Sequence, residues 1–131
     1  MVQAMGGLVP AASEEPGAAV FELRVYHTAE GKLPALLKRF REHTDGLFAK
    51  HEIRSVAYWT PIDGFLAAPE RGRTLVYVLK YPGREEATRM WKAFAEDPEW
   101  IRVKTESEKD GALVEKVEST FMELTDFSPK A

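Results

Sequence analysis

Val20–Thr28 reads VFELRVYHT and Thr74–Tyr81 reads TLVYVLKY, and the fold is decided by how these two stretches correspond. Both alternate with the period of two that marks a half-buried strand. Each runs into turn residues, Glu30-Gly31 in the first half and Pro82-Gly83 in the second. Apolar residues then recur at helical spacing: Leu33, Leu36, Leu37, Phe40, Leu47 and Phe48 after the first strand, Ala87, Met90, Trp91 and Phe94 after the second. An offset of 54 superimposes the halves without a gap. Phe21, Leu23 and Val25 fall on Leu75, Tyr77 and Leu79, while Leu33, Leu36, Leu37 and Phe40 fall on Ala87, Met90, Trp91 and Phe94. With return strands at Ile53–Thr60 and roughly Val114–Thr125, this is a strand–helix–strand unit written twice. The expected fold class is α+β: a ferredoxin-like βαββαβ chain, with a four-stranded antiparallel sheet and its helices on one face.

Punctuation supports these boundaries. Pro34 is tolerated in the first turn of the first helix, which runs to about Lys50 and is loosened at Gly46. IDGFLAAPERGR (62–73) is a loop, Asp97-Pro98 reads as a cap with proline at the first helical position, and Gly111 stops the helical segment that Pro98 begins. Residues 1–19, rich in Gly, Ala and Pro, are expected to form a flexible tail without a secretory or mitochondrial leader, ahead of one domain at 20–129.

The repeat also assigns faces. Odd positions of the first and third strands (21, 23, 25 and 75, 77, 79) should meet the helices, leaving Glu22, Arg24, Tyr26, Val76, Val78 and Lys80 on the other side. Val76 and Val78 make the third strand apolar on both faces, as in a strand covered twice. Two helices cover one face only, so a second copy of the sheet is expected on the other, giving a homodimer.

The bulk numbers limit the function classes. A chain of 131 residues supports one core. Eighteen basic against twenty-one acidic residues leave a net charge of −3, which disfavours nucleic acid as a partner. No apolar run is long enough for a membrane span. The absence of cysteine removes disulfides, thiolate metal sites and a cysteine nucleophile, and suits a reducing cytoplasm. Dinucleotide loops, P-loops, HExxH and GxSxG are all missing.

Several stretches resemble the NIPSNAP family: FELRVY (21–26), KHEIRSVAYW (50–59), and above all DPEW (97–100) and TDFSP (125–129) on either side of the SEKDG turn (107–111). The resemblance covers nearly everything from Val20 to Pro129. It implies the dimeric α/β-barrel arrangement, in which two ferredoxin-like subunits place their sheets face to face. That superfamily includes cofactor-free monooxygenases, isomerases, dehydratases, haem-degrading enzymes and plain ligand binders. Glu52 departs from the family pattern, which commonly has glycine after the histidine.

Candidate site residues fall into three groups. Trp59, Tyr77 and Trp91 are expected between sheet and helices, with Tyr58 on the neighbouring face and Trp100 beside the second helix. These aromatics either fill the core or line a pocket for a hydrophobic small molecule. Arg24, with Glu22 and Tyr26, either forms a buried ion pair or holds a substrate carboxylate or enolate. Of the histidines, His27 ends a strand while His43 and His51 lie on or beside the helix stripe. Each is either a satisfied structural group, a general base or an axial haem ligand, and His51 lies within the family-like stretch. The leading expectation is a small-molecule enzyme with no bound organic cofactor and no metal, performing an oxygenation, isomerisation or dehydration. His51 or Tyr26 would move protons and Arg24 would orient. The alternatives are a haem- or ligand-binding module without turnover and an interaction domain.

Overall fold

In the computed structural model, which describes residues 19–63 and 72–130, four strands form one antiparallel sheet: β1 (Val20–Thr28), β2 (Arg54–Trp59), β3 (Thr74–Tyr81) and β4 (Val114–Met122), in the order β2-β3-β1-β4. This is the ferredoxin-like order, with the two long central strands coming from the two halves of the repeat. The expected tail and most of the long loop lie outside the described residues.

The helical layer consists of α1 (Leu33–Arg39), a π-helical turn at Phe40–Thr44, α2 (Asp45–Lys50), α3 (Arg84–Ala95) and α4 (Pro98–Ser107). The first helix thus continues to Lys50 as the spacing predicts, but its loosening falls before Gly46. A π turn inserts one residue and rotates the rest of the helix about its axis, and such turns recur at functional sites. Here it keeps Phe40 and Thr44 buried on one side while Leu47 and Phe48 stay in the core.

α2 ends in a Schellman arrangement. The Ile53 amide bonds to the Phe48 carbonyl at 2.9 Å and the Glu52 amide to Ala49 at 2.9 Å, with Ile53 and Phe48 both fully buried. Glu52 occupies the left-handed position at φ +64°, so the turn forms without the glycine that it favours. At the other helix junction, the Asp97 carboxylate accepts from the Glu99 amide at 2.8 Å and caps α4, with Pro98 in the first turn, as the sequence implies.

One expectation is overturned. Across β1 and β3, Arg24 pairs with Tyr77, Glu22 with Leu79 and Tyr26 with Leu75. Partners in an antiparallel pair share a face, so the even positions of β1 join the odd positions of β3. Tyr77, Leu79 and Tyr81 belong to the buried core with Val20 and Tyr26, whereas Phe21, though buried, lies outside that cluster. Glu22, Arg24 and Tyr26 therefore face the helices, and Phe21, Leu23 and Val25 join Val76 and Val78 on the open face. The gapless repeat fails by one residue in β1 because it matched apolar with apolar, while the fold matches a polar row with an apolar one.

Candidate functional site

Placing Glu22 and Arg24 under the helices would be costly for bare charges, and the surroundings show how the cost is met. The Arg24 guanidinium donates from Nη1 to Glu22 Oε2 at 2.6 Å, from Nη2 to the Tyr26 hydroxyl at 3.1 Å and from Nε to the Tyr77 hydroxyl at 3.0 Å. Glu22 also accepts from Tyr81 at 2.9 Å and from Ser119 of β4 at 2.6 Å. The guanidinium lies 4.1 Å from the ring centroid of Trp91 on α3, a cation–π contact. Burial works against the charge of Arg24, but Tyr77, Tyr26 and Glu22 outweigh it and hold its pKa above the ordinary value. Burial likewise raises Tyr77 and Tyr81, helped by Tyr26 and Glu22 respectively, so both phenols keep their protons.

The hydroxyl protons in this network are fixed by burial. Tyr77 has no exposed surface, accepts from Arg24, and lies 2.8 Å from the Tyr26 oxygen, the one acceptor for its proton among the described residues. Tyr26 therefore accepts twice, from Tyr77 and from Arg24. Its own O–H has no acceptor among the described residues.

Tyr26 and Arg24 lie on the wall of a cavity of about 380 Å³ between sheet and helices, within the size range of small-molecule sites. Phe40 and Thr44 of the π turn, Phe48, Trp91, Phe94 and Trp100 supply its largely aromatic lining. The aromatic rings touch one another: Phe94 lies 4.8 Å from both Phe48 and Trp100, and 5.1 Å from Trp91. Toward the mouth stand Arg39, Lys104, Glu108, Glu115, Lys116 and Val117. Arg39 is buried over Trp100 at 5.0 Å, bonding Ser107 at 3.1 Å and Glu108 at 3.3 Å, while its Nε has no partner among the described residues. Burial opposes the charge of Glu108, yet Lys104 and Arg39 hold its carboxyl below the usual range.

The sequence-predicted residues separate accordingly. Arg24, Tyr26, Trp91 and Trp100 come together at the cavity, with Tyr77 buttressing them from behind. Trp59 does not join them: it pairs with Val76 on the open face and is 50% exposed. Tyr58, expected on the neighbouring face, instead packs under the helices against Phe40 and Tyr77, its hydroxyl donating to Asp45 at 2.7 Å. A bulge between Ser55 and Ala57 in β2 exchanges the two. Burial, and then Asp45, raise the Tyr58 pKa.

His51 also lies away from the cavity. Its Nε2 is 2.7 Å from Asp97 Oδ2, which receives Lys50 at 2.8 Å as well, so the end of α2 is tied to the cap of α4. Bonds from Lys50 and His51 and the Glu99 amide depress the Asp97 pKa strongly. His27 faces the open side with Glu118 at 2.8 Å, and His43 is exposed. Among the described residues no histidine lines the cavity, so an axial imidazole for haem is not placed there. No cluster of three or more His, Asp or Glu side chains among them could hold a metal ion, and none of their helices is long and apolar enough to cross a membrane. Sequence reasoning missed Arg39, Phe48 and Phe94 as lining residues; a cation three residues after Leu36, on the buried stripe, was the available signal for Arg39.

A sequence model of the NIPSNAP family matches residues 21–129, almost the whole described chain. The chain belongs to the NIPSNAP family. Solved NIPSNAP structures have the same fold. An uncharacterized NIPSNAP-like domain protein from Burkholderia xenovorans is similar at a TM-score of 0.73 and 17% identity, covering 87% of this chain and 91% of that one. A NIPSNAP family protein of unknown function from Agrobacterium tumefaciens gives 0.71 at 22% identity, covering 86% and 94%. SnoaB, a cofactor-independent oxygenase from Streptomyces nogalater, gives 0.55 at 12% identity, covering 86% and 99%. No curated protein sequence matches the chain. At these identities the likeness speaks to fold alone. The two motifs that carry the family resemblance have different surroundings here: DPEW caps α4 and brings Trp100 to the cavity, whereas TDFSP follows β4 with Phe127 exposed.

Proposed function

We propose that this NIPSNAP protein is a cytoplasmic homodimer whose subunits each bind, and chemically transform, a hydrophobic aromatic small molecule in the cavity between sheet and helices, without a bound organic cofactor. One observation carries the reading: the unused O–H of Tyr26, polarised by Arg24 and Tyr77, at the wall of an aromatic cavity. A donor at a cavity wall that no acceptor among the described residues uses is available to an oxygen of a bound molecule. Oxygenation, isomerisation and dehydration of a conjugated substrate all develop charge on an oxygen, and a preorganised donor beside a guanidinium stabilises such charge. Tyr26 takes the proton-handling role and Arg24 and Trp91 orient. His51, with its imidazole engaged by Asp97 away from the cavity, is not assigned one. The dimer rests on the open face, where Leu23, Val25, Val76, Val78, Ala57 and Trp59 lie side by side.

Native mass spectrometry of freshly purified protein tests both parts. The expected result is a dimer retaining an aromatic small molecule, and loss of that molecule in Val117→Trp, which fills the cavity mouth from a half-exposed strand position. A bare protein that also fails to bind any member of an aromatic substrate panel would remove the ligand reading. A monomer would remove the assembly.

A further inference from the structure

We infer that the molecule held in this cavity is an aromatic anion, a carboxylate or acidic phenol whose ionised oxygen docks on Tyr26 and Arg24 while its ring lies among Trp91, Phe94 and Trp100. This rests on the proposed ligand site and adds the charge of its occupant. Among the described residues, three cationic side chains, Arg24, Arg39 and Lys104, face the cavity against two carboxylates, Glu108 and Glu115, although the whole chain has a net charge of −3; Lys116 borders the cavity but shares the open face with His27 and Glu118. Glu108 bridges Arg39 and Lys104, so one carboxylate answers two cations and one positive charge is left in excess, while Glu115 is matched by Arg73 at 3.1 Å. Glu22, the acid nearest Arg24, accepts from Arg24, Tyr81 and Ser119 and has little capacity left to repel or attract a ligand.

The inner end has the complementary donors. Tyr26 offers one proton, and Arg24 uses three of its five N–H groups on Glu22, Tyr26 and Tyr77. A phenol that accepts from a guanidinium and from a second phenol is a stronger donor than a free one, since hydrogen bonds in a chain polarise each other. Strong donors in a low-dielectric wall discriminate most for an ionised acceptor, because charge-assisted bonds are about twice as strong as neutral ones. A neutral arene would use the rings and leave the Tyr26 proton bare; a cation would meet the cationic lining.

The test compares two probes of one shape, 2-naphthoate and 2-naphthalenemethanol, by isothermal titration of the full chain at pH 7. The inference expects naphthoate to bind at least about tenfold tighter, and Tyr26→Phe to weaken naphthoate by more than it weakens the alcohol, so that the preference falls by about tenfold. Val117→Trp should weaken both probes, which places them in the cavity. Equal affinities, or a tighter alcohol, would overturn the anion inference and leave the ligand site standing. If neither probe binds, or Val117→Trp changes neither, the inference and the underlying site fall together. The wild-type comparison decides even if a Tyr26 variant does not fold.

Discussion

The two faces of the sheet are composed in opposite ways. The face under the helices has a row of charged and phenolic groups, Glu22, Arg24, Tyr26, Tyr77 and Tyr81, bonded to one another in a single network that leaves the Tyr26 proton and two Arg24 N–H groups unused among the described residues. On the open face Leu23, Val25, Val76, Val78 and Ala57 lie beside a half-exposed Trp59, with polar groups toward the β4 edge, where His27 meets Glu118. Hydrophobicity alone would have arranged them the other way round. A polar row under the helices is stable only when its bonds are satisfied, and it provides directed donors to a cavity. An apolar row in the open provides no chemistry but suits a second copy of itself. The proposed site and the proposed assembly surface thus lie on opposite sides of one sheet.

The largest expected effect breaks the inner face. Arg24→Ala leaves the Glu22 carboxylate buried with only two hydroxyl partners, and losing one member of a buried pair costs about 3–5 kcal/mol. Urea denaturation should show that loss, and the double variant Glu22→Gln with Arg24→Met should recover most of it. If the single variant is no less stable than the double, the pair is not what constrains the inner face.

The outer face is tested by Val78→Asp. In an isolated subunit this half-buried position tolerates a carboxylate at modest cost, but in a face-to-face dimer two aspartates would be buried together. We expect association to weaken by roughly a hundredfold or more. Light scattering after size exclusion should report a monomer with its helical content intact. A dimer of unchanged affinity would move the assembly surface elsewhere.

Tyr26→Phe sharpens the contrast between stability and function. It removes the acceptor of Tyr77 and Arg24, so roughly 1 kcal/mol of stability should go, as for a typical buried hydrogen bond. The loss in aromatic-ligand binding should be larger than that, and assembly should not change. A variant equally affected in all three would make Tyr26 purely structural.

The same contrast explains how much was legible in the sequence. The alternation in β1 and β3, the helix stripes and the turn residues located every element, and the DPEW and TDFSP motifs located the family. Arg24, Tyr26, Trp91 and Trp100 were visible as unusual residues for their elements. Their face was not. VFELRVYHT alternates equally well in either orientation, and choosing the apolar row for the core is correct only when the polar row has no partners. Those partners, Tyr77, Tyr81 and Ser119, come from 51 to 97 residues away. The β2 bulge that exchanges Trp59 with Tyr58, and the π turn that sets Phe40 and Thr44, are single-residue irregularities. Their tertiary context selects them, and no local pattern announces them.

A third region, outside both faces, serves as a control on pH. Asp97 is bonded by Lys50, His51 and the Glu99 amide, which lower its pKa below the unfolded value of about 4. A depressed carboxyl contributes stability above its unfolded pKa and loses it as pH falls through the folded one. Asp97→Asn keeps a capping oxygen but not the charge, so it should be less stable than wild type at pH 7, with the gap closing below about pH 4. Thermal melts at pH 7 and pH 3 check this, and ligand affinity should be unaffected at neutral pH.

The smallest effect has the opposite sign and asks whether the chain is strained anywhere that neither face needs. Glu52 is the only non-glycine among the described residues at positive φ, closing α2 with its backbone amide on Ala49. A side chain in the left-handed region costs about 1–2 kcal/mol that glycine does not incur, offset by the greater freedom of glycine in the unfolded chain. Glu52→Gly should therefore stabilise the fold by about 1 kcal/mol, with the same oligomer and the same ligand affinity as wild type. Because Ile53 and Phe48 clasp the turn from the core, a glycine there does not loosen β2. A destabilised variant would show that the Glu52 side chain has a role at the groove it borders with His51 and Arg89, so that the helix end, too, has a function beyond closing a turn.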